Sequence, residues 1–374
     1  MQIALVHDWL NQMGGAERVL ENLVALFPSA PLYTSIYRPE VMPSHYRQWD
    51  IRTSWMDKLP LVRRHHQPFL PLYPLAFESL DLSGYDVVLS NKSGFCHGVL
   101  TPPETLHICY CLSPTRYVWR DHDYLQREGL GRLPRATLAP LLSVLRLWDR
   151  LAADRVDRFV AISTEIGRRI HKYYRRSSEV IYPPVDTSRF APAASHDDYF
   201  LVVGRLVPYK RIDLAVRACS ELGLPLKVAG SGRDLERLRS MAGPTVEFLG
   251  WVSDEALPEL LAHCRAFLLP GAEDFGIAPL EAMAAGRPVI AYAYGGALDT
   301  VIEGMSGMLF YEQTVEGLSR ALQRFDAGAY DPATMRAHAR KFDTAVFRQR
   351  MTAFIAEAWE EHEHGAGSLL ECSS

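Results

Sequence analysis

Two glutamates eight residues apart carry the most specific chemistry in this chain. They frame Glu273-Asp274-Phe275-Gly276-Ile277-Ala278-Pro279-Leu280-Glu281. The apolar run 266–269 ends at Pro270-Gly271, and a helix is expected from Pro279, so Glu273 falls in a loop and Glu281 in the first turns of a helix. A helix N-terminus offers unpaired N–H groups and a positive dipole, which suits phosphate. A carboxylate nearby can accept both hydroxyls of a ribose. The same residues also read as a solvated loop and a helix-start glutamate favoured by the dipole. A second cluster, Gly204-Arg205-Leu206-Val207-Pro208-Tyr209-Lys210-Arg211, follows the apolar run 199–203. Arg205 and Lys210 there form a basic pair suited to a diphosphate, or a basic loop on an otherwise acidic body. Gly230-Ser231-Gly232 and Gly14-Gly15 also follow apolar runs, but tight glycine turns occur for steric reasons alone.

The elements that must position these residues alternate. Strands are expected at 3–7, 87–90, 105–111, 159–162 and 180–182, with helices at 16–27, 138–153 and 164–174. A Pro-rich, small and polar stretch at 183–198 reads as a linker. A second series follows, with strands at 199–203, 226–229, 246–249, 266–269 and 288–291. Its helices are expected at 212–222, 234–241, 254–263 and 279–285, and one long helical pattern runs over 342–362. This alternation predicts parallel sheets covered on both faces: an α/β fold of two Rossmann-like doubly wound domains facing a cleft. The boundaries read as 1–182, a linker at 183–198, 199–345, a helix at 346–364 packing back towards the first domain, and a flexible tail at 365–374. In open α/β sheets ligands sit at the carboxyl ends of strands, and each of the four clusters falls there.

Composition narrows the class. With 374 residues, 48% hydrophobic and 22% charged, the chain is neither disordered, collagenous nor a disulfide scaffold. No apolar run reaches the ~18 residues of a membrane span, and the start is not expected to act as a secretory leader. Residues 1–193 carry 23 Lys+Arg against 19 Asp+Glu, and the rest 17 against 25. The basic half is too weakly charged for a nucleic-acid partner. The six scattered cysteines read as free buried thiols in a reducing cytoplasm.

Taken together, the clusters resemble the retaining family-4 glycosyltransferases, whose two-domain architecture is called GT-B. The resemblance rests on Gly14-Gly15-Ala16-Glu17-Arg18, Gly204-Arg205 with Lys210, Gly230-Ser231-Gly232 and Phe248-Leu249-Gly250. It rests above all on the Glu-x7-Glu motif, Glu273 to Glu281, continued by Ala282-Met283-Ala284-Ala285-Gly286. Ser113-Pro114-Thr115-Arg116-Tyr117-Val118-Trp119 and Gly295-Gly296-Ala297-Leu298-Asp299-Thr300-Val301 are similar to a narrower bacterial group. Its members are mannosyltransferases and relatives that extend lipid-linked exopolysaccharide or O-antigen saccharides. The resemblance implies that Arg205 and Lys210 hold the donor diphosphate, Glu281 the ribose, and that Glu273 faces the donor sugar. It implies backbone contacts from Gly204, Gly230, Phe275, Gly276 and Ile277, Gly15 closing over the diphosphate, and Val252 flanking the base. The donor it implies is GDP-mannose, and the acceptor a polyprenyl-diphosphate saccharide. No cofactor or metal is expected, because two fixed cations neutralise the leaving group.

One position departs from the family. Relatives carry a His before the Ser-Pro or Thr-Pro that follows the strand at 105–111, and here that place is Leu112. His97 or Arg116 is the expected substitute on the acceptor side. Two other readings stay open: a nucleotide-sugar epimerase or hydrolase on the same architecture, and a non-catalytic saccharide-binding subunit, which Leu112 supports. Asp121-His122-Asp123 matches the Asp-x-Asp of metal-dependent transferases of another fold but reads as a polar turn. The basic and apolar segments around Arg52, Lys58, Arg63 and Arg64, and over 130–148, read as packed helices or as peripheral contacts with the inner membrane from its cytoplasmic side.

Overall fold

The strands of the first series are β1 (Ile3–His7), β2 (Leu32–Thr34), β3 (Ile51–Thr53), β4 (Val87–Lys92), β5 (Leu106–Cys111), β6 (Arg158–Ala161) and β7 (Glu179–Val180). β1, β4 and β5 are buried along their whole length, as strands covered on both faces must be. All pair in parallel, in the order β3-β2-β1-β4-β5-β6-β7. The order reverses between β1 and β4, whose register pairs Ile3 with Val87 and His7 with Asn91. One face packs Val6, Phe77, Val88, Phe95 and Leu145 into a common core.

The second series is β8 (Phe200–Val203), β9 (Leu226–Ala229), β10 (Val246–Gly250), β11 (Ala266–Leu269), β12 (Val289–Tyr292) and β13 (Gly307–Phe310). Its order is β10-β9-β8-β11-β12-β13, again parallel, so the reversal falls between β8 and β11. Phe200, Val216, Leu268, Ile290 and Leu318 lie in its core.

The computed structural model describes residues 1–119 and 132–371. Asp121, His122 and Asp123 lie outside the described residues. The chain forms two units, Met1–Pro184 with Phe347–Ser374, and Val185–Val346. The segment 183–198 is therefore not a free linker over most of its length. Val185 N donates to Phe342 O at 3.0 Å, Thr187 Oγ1 donates to Asp343 at 2.5 Å, and Phe190 is buried. Its composition signals a break, but its apolar side chains find a core. The helix Thr344–Glu371 continues past Gly365, where the sequence suggested a loose tail, because each residue added to a nucleated helix adds a hydrogen bond. It joins the first unit through Phe347, whose ring meets Tyr110 edge-on at 5.7 Å. Arg348 donates to Asn22 at 3.1 Å and Arg350 to Glu179 at 3.1 Å.

The basic segment after β3 is not a helix of its own. Short 3₁₀ turns at Trp55–Lys58 and Gln67–Leu72 break it up, and Arg52 and Arg63 pair with Asp50 and Asp57 at 2.7 and 2.6 Å. Among the described residues, no helix is long and apolar enough to cross a membrane. Cys96, Cys109, Cys111, Cys219 and Cys264 are free and buried.

Candidate functional site

In the second unit the sheet order reverses where the loops after β8 and β11 meet, and both contain residues singled out by the sequence. After β8, Pro208–Lys210 forms a 3₁₀ turn, and Arg211 closes it at φ 51°, a left-handed conformation uncommon for a side-chain-bearing residue. After β11, Gly271 lies against this turn. A Cβ there would stand 2.6 Å from Lys210 O, so only glycine lets the two loops approach so closely. The result is an ion pair, Lys210 Nζ to Glu273 Oε1 at 2.5 Å, with the side chains 26% and 14% exposed. Burial pulls the Lys210 pKa down, and the Glu273 carboxylate more than offsets this, so the ammonium group is held above its ordinary value. Arg205, five residues earlier, is exposed and donates to Tyr209 OH at 3.4 Å.

The helix Ile277–Ala284 starts four residues beyond Glu273. Gly276 caps it at φ +93° without a side-chain cap hydrogen bond. Glu281 sits on this helix with its side chain 5% exposed. Phe275 turns its ring inward against Phe342 at 6.1 Å, so it can serve a ligand only through its backbone. Gly230 and Gly232 have a stacking role: Cβ atoms there would stand 1.9 Å from Gly204 O and 2.2 Å from Leu206 O. Gly230 N also donates to Gly250 O at 2.6 Å, two residues before the half-buried Val252. Gly204, Gly230, Lys210, Glu273 and Gly276 thus converge through the carboxyl ends of β8, β9 and β11.

Sequence reasoning missed what holds Glu273 in place. Gly295, at φ +63°, pairs with it in an isolated parallel bridge, and Gly296 N donates to Glu273 O at 2.9 Å. A Cβ on Gly295 would stand 2.1 Å from Glu273 O, and one on Gly296 2.2 Å from Phe275 Cα. The Gly295-Gly296 pair was visible as a motif, but nothing in the sequence joins it to a residue over twenty positions away.

In the first unit, Gly15 is exposed at the first turn of the helix Gly15–Leu26. His97 is not available as an acceptor-side residue. The turn Cys96–Gly98 directs its ring into the core, where it is 0% exposed and stacks on Tyr174 at 5.8 Å. Nε2 lies 3.2 Å from Asp149 O, and burial lowers its pKa to about 4, helped by the nearby Lys92 charge. Arg116 opens the short helix Arg116–Trp119 and is half-buried. That segment is pinned by a buried network. Lys92 donates to Ser113 O at 3.3 Å and to Thr115 Oγ1 at 3.1 Å, with Asp149 Oδ1 3.9 Å away. Trp119 and Tyr174 donate to Asp149 Oδ2 at 2.6 and 2.7 Å. Burial works against both Lys92 and Asp149, and their mutual attraction prevails, holding Lys92 above and Asp149 below its ordinary value.

The reversal point of the first sheet holds a second feature that the sequence did not reveal. The fully buried Asp8, just after β1, accepts the amides of Ser93, Gly94, Phe95 and Cys96 at 2.6, 2.6, 2.7 and 2.8 Å. Successive amides of this kind form an anion-binding concavity, and the protein fills it with its own carboxylate.

Fold and geometry together define a protein of two Rossmann-like domains of the GT-B class, whose second domain presents a lysine, an arginine, two carboxylates and a helix N-terminus about one sheet reversal. Such an arrangement can hold a diphosphate ester. Comparison with known proteins narrows this further. The profile of the glycosyl transferases group 1 matches residues 185–342 and that of glycosyltransferase family 4 matches residues 13–189. The GDP-mannose-dependent alpha-(1-6)-phosphatidylinositol monomannoside mannosyltransferase of Mycobacterium tuberculosis is 31% identical over 263 residues, 58% of this chain and 68% of that protein. The chain belongs to the group 1 glycosyltransferases. It spans about half to two thirds of the length of the curated relatives it matches. Among solved structures, sucrose-phosphate synthase from Thermosynechococcus elongatus is similar in fold, with TM-score 0.73 and 18% identity over 96% of this chain and 100% of that one. Anabaena HepE in complex with UDP gives TM-score 0.72 and 17% identity, over 96% and 100%.

Proposed function

We propose that the chain transfers a hexose with retention, from GDP-mannose held by the second unit to a lipid-linked saccharide, in the synthesis of a bacterial surface polysaccharide. The observation that carries this reading is the Lys210–Glu273 pair across the β8/β11 reversal, beside the N-terminus of Ile277–Ala284. Breaking the sugar–phosphate bond leaves negative charge on the diphosphate and positive charge on the anomeric carbon. Lys210 and Arg205 meet the first, and Glu273 the second. Preorganised charges of this kind act on the transition state more than on the bound substrate. Glu281 takes the ribose hydroxyls, and Gly204, Gly230, Phe275, Gly276 and Ile277 offer backbone to phosphate or sugar. Gly15 and Val252 complete the donor contacts. Front-side attack lets the leaving phosphate take the acceptor's proton, so no protein nucleophile is assigned.

The donor and the lipid character of the acceptor are supported by the relative's name, which specifies GDP-mannose and a phosphatidylinositol mannoside. A polyprenyl-diphosphate saccharide presents the same combination of sugar and lipid. Contact with an anionic membrane is supported by the helix Arg132–Ala152, where Val144, Leu147 and Leu151 are 64%, 62% and 53% exposed at helical spacing. Two fixed cations make a metal unnecessary. The test is a thermal-shift panel of GDP-, UDP- and ADP-sugars, followed by product analysis with the donor that stabilises the chain, with and without EDTA. Transfer of mannose from GDP-mannose in EDTA supports the reading. Stabilisation by UDP-sugars alone overturns the donor, and strict dependence on manganese or magnesium overturns the metal-free step and directs attention to Asp121 and Asp123.

A further inference from the structure

A buried polar pair at the carboxyl end of β1 has no role in that reading. His7 ends β1, and Glu17 lies in the first turn of the helix Gly15–Leu26. The two side chains are 1% and 3% exposed, with His7 Nε2 3.6 Å from Glu17 Oε1. His7 Nδ1 is 3.2 Å from both Asn91 O and Asn91 Nδ2, and Asn91 Nδ2 donates to Ala16 O at 3.0 Å. The ring is therefore oriented, with Nδ1 towards β4 and Nε2 towards Glu17. Two buried atoms in this cluster, His7 Nε2 and Asn91 Oδ1, have no hydrogen-bond partner among the described residues. Leaving a buried polar atom unsatisfied costs ~1–3 kcal/mol, so such atoms call for a partner that binds.

The position suits a ligand. β1 and β4 flank the reversal of the first sheet, where open α/β sheets bind theirs. Gly14 and Gly15 lay no side chain over Glu17, and a Cβ at Gly14 would stand 3.2 Å from Glu17 Oε2. The Glu17 carboxylate itself repels an anion. The amide concavity next to it is filled by Asp8, and the group presented by the helix start is a carboxylate. A carboxylate backed by an imidazole receives a hydroxyl.

We propose that Glu17 grips the acceptor hydroxyl and that His7 is the positioning residue that orients Glu17. The inference rests on the chain being a sugar transferase. Glu17 accepts a hydrogen bond from the acceptor O–H, leaving that oxygen's lone pairs free to attack. The carbon–oxygen bond to the acceptor forms as the bond to the diphosphate breaks. The acceptor's proton passes to the leaving phosphate oxygen, and Glu17 ends the step as it began, a carboxylate.

The test uses the full chain with Glu17→Gln, Glu17→Asp and His7→Gln. Two quantities are measured: GDP affinity by calorimetry, and transfer to octyl α-mannoside over a range of acceptor concentrations. Glu17→Gln should bind GDP within about twofold of wild type, while transfer falls ~100-fold, the scale of a lost orienting contact. His7→Gln should show the same split with a loss of ~10-fold, since it acts through Glu17. Wild-type transfer by Glu17→Gln overturns the proposal. So does a parallel loss of GDP binding, which marks a structural role. Should Glu17→Gln fail to fold, Glu17→Asp, with the charge withdrawn by one methylene, must show the split, and its absence is equally decisive. A wild-type protein that ignores GDP-mannose but uses another sugar in the panel overturns the donor reading alone, and the variants are then compared with that sugar.

Discussion

Replacing Lys210 by Met and Glu273 by Gln, singly and together, tests whether the pair across the β8/β11 reversal is the working centre of the second unit. The two charges stand 2.5 Å apart with side chains 26% and 14% exposed. That places them between exposed pairs, worth ~0–1 kcal/mol, and fully buried ones, whose disruption costs ~3–5 kcal/mol. Each single change should therefore destabilise the unit by about 1–3 kcal/mol, the range for a lost charged hydrogen bond. The double variant should cost less than the sum, with a coupling of about 1–2 kcal/mol. Calorimetry reads this as a shift of roughly 2–4 °C per kcal/mol for a unit of this size. Lys210 titrates above its ordinary value in the folded chain. The pair's contribution is then full below the unfolded lysine value of ~10.4 and is lost as pH rises through the raised folded value, so the coupling should not change between pH 7 and 9. Function should split the two residues. Lys210→Met should lower turnover ~10²-fold, the usual loss for a preorganised charge, and weaken GDP. Glu273→Gln should lower turnover while GDP binds as well or better, because the diphosphate no longer competes with a carboxylate for the ammonium group. Zero coupling, or wild-type GDP affinity in Lys210→Met, would refute the reasoning.

Glu281→Gln should weaken donor binding by ~10-fold, or about 1.4 kcal/mol, with turnover at saturation nearly unchanged, since ribose contacts are alike in ground and transition states. Loss of turnover with donor affinity intact would invert the nucleotide's placement. Gly271→Ala should push the Lys210 turn away, given the 2.6 Å approach to Lys210 O. GDP affinity should drop while circular dichroism stays native, and unchanged affinity would contradict the assigned packing. His97 and His107 titrate near 4 and 3 in the folded chain. Between those values and 6.5 the unfolded chain binds the extra protons, so stability falls as pH drops, by about 2 kcal/mol per histidine at pH 5. Equal unfolding free energies for wild type and His97→Gln across pH 7.5 to 5 would contradict it.

The long buried strands were legible because an apolar run between turn residues leaves few alternatives, as at β1, β4, β9 and β11. β2 and β3 are three residues each, too short for any periodicity to register. β13 opens on Gly307, a residue depleted in strands, yet a Cβ there would stand 2.0 Å from Val289 O, so close packing demanded what propensity argues against. At the site, residue types placed Lys210 and Glu273 correctly at strand ends, since a parallel sheet delivers its loops to one edge. Their mutual contact was not legible, because it depends on Gly271 and on the Gly295-Gly296 prop, contacts between segments distant in sequence. His97 misled for the opposite reason: a polar residue suggests exposure, but this histidine sets one ring nitrogen on a backbone carbonyl, stacks on Tyr174 and joins the core.

The Asp8 carboxylate, fixed at the end of β1 beside the loop after β4 whose amides it binds, acts as a permanent intramolecular competitor. An internal ligand of this kind faces its receptor at an effective concentration that free phosphate at a few millimolar does not match. That concavity is thereby closed to free phosphate. Exchanging Asp8 for glycine would vacate four converging amides, turning a structural tie into an anion receptor.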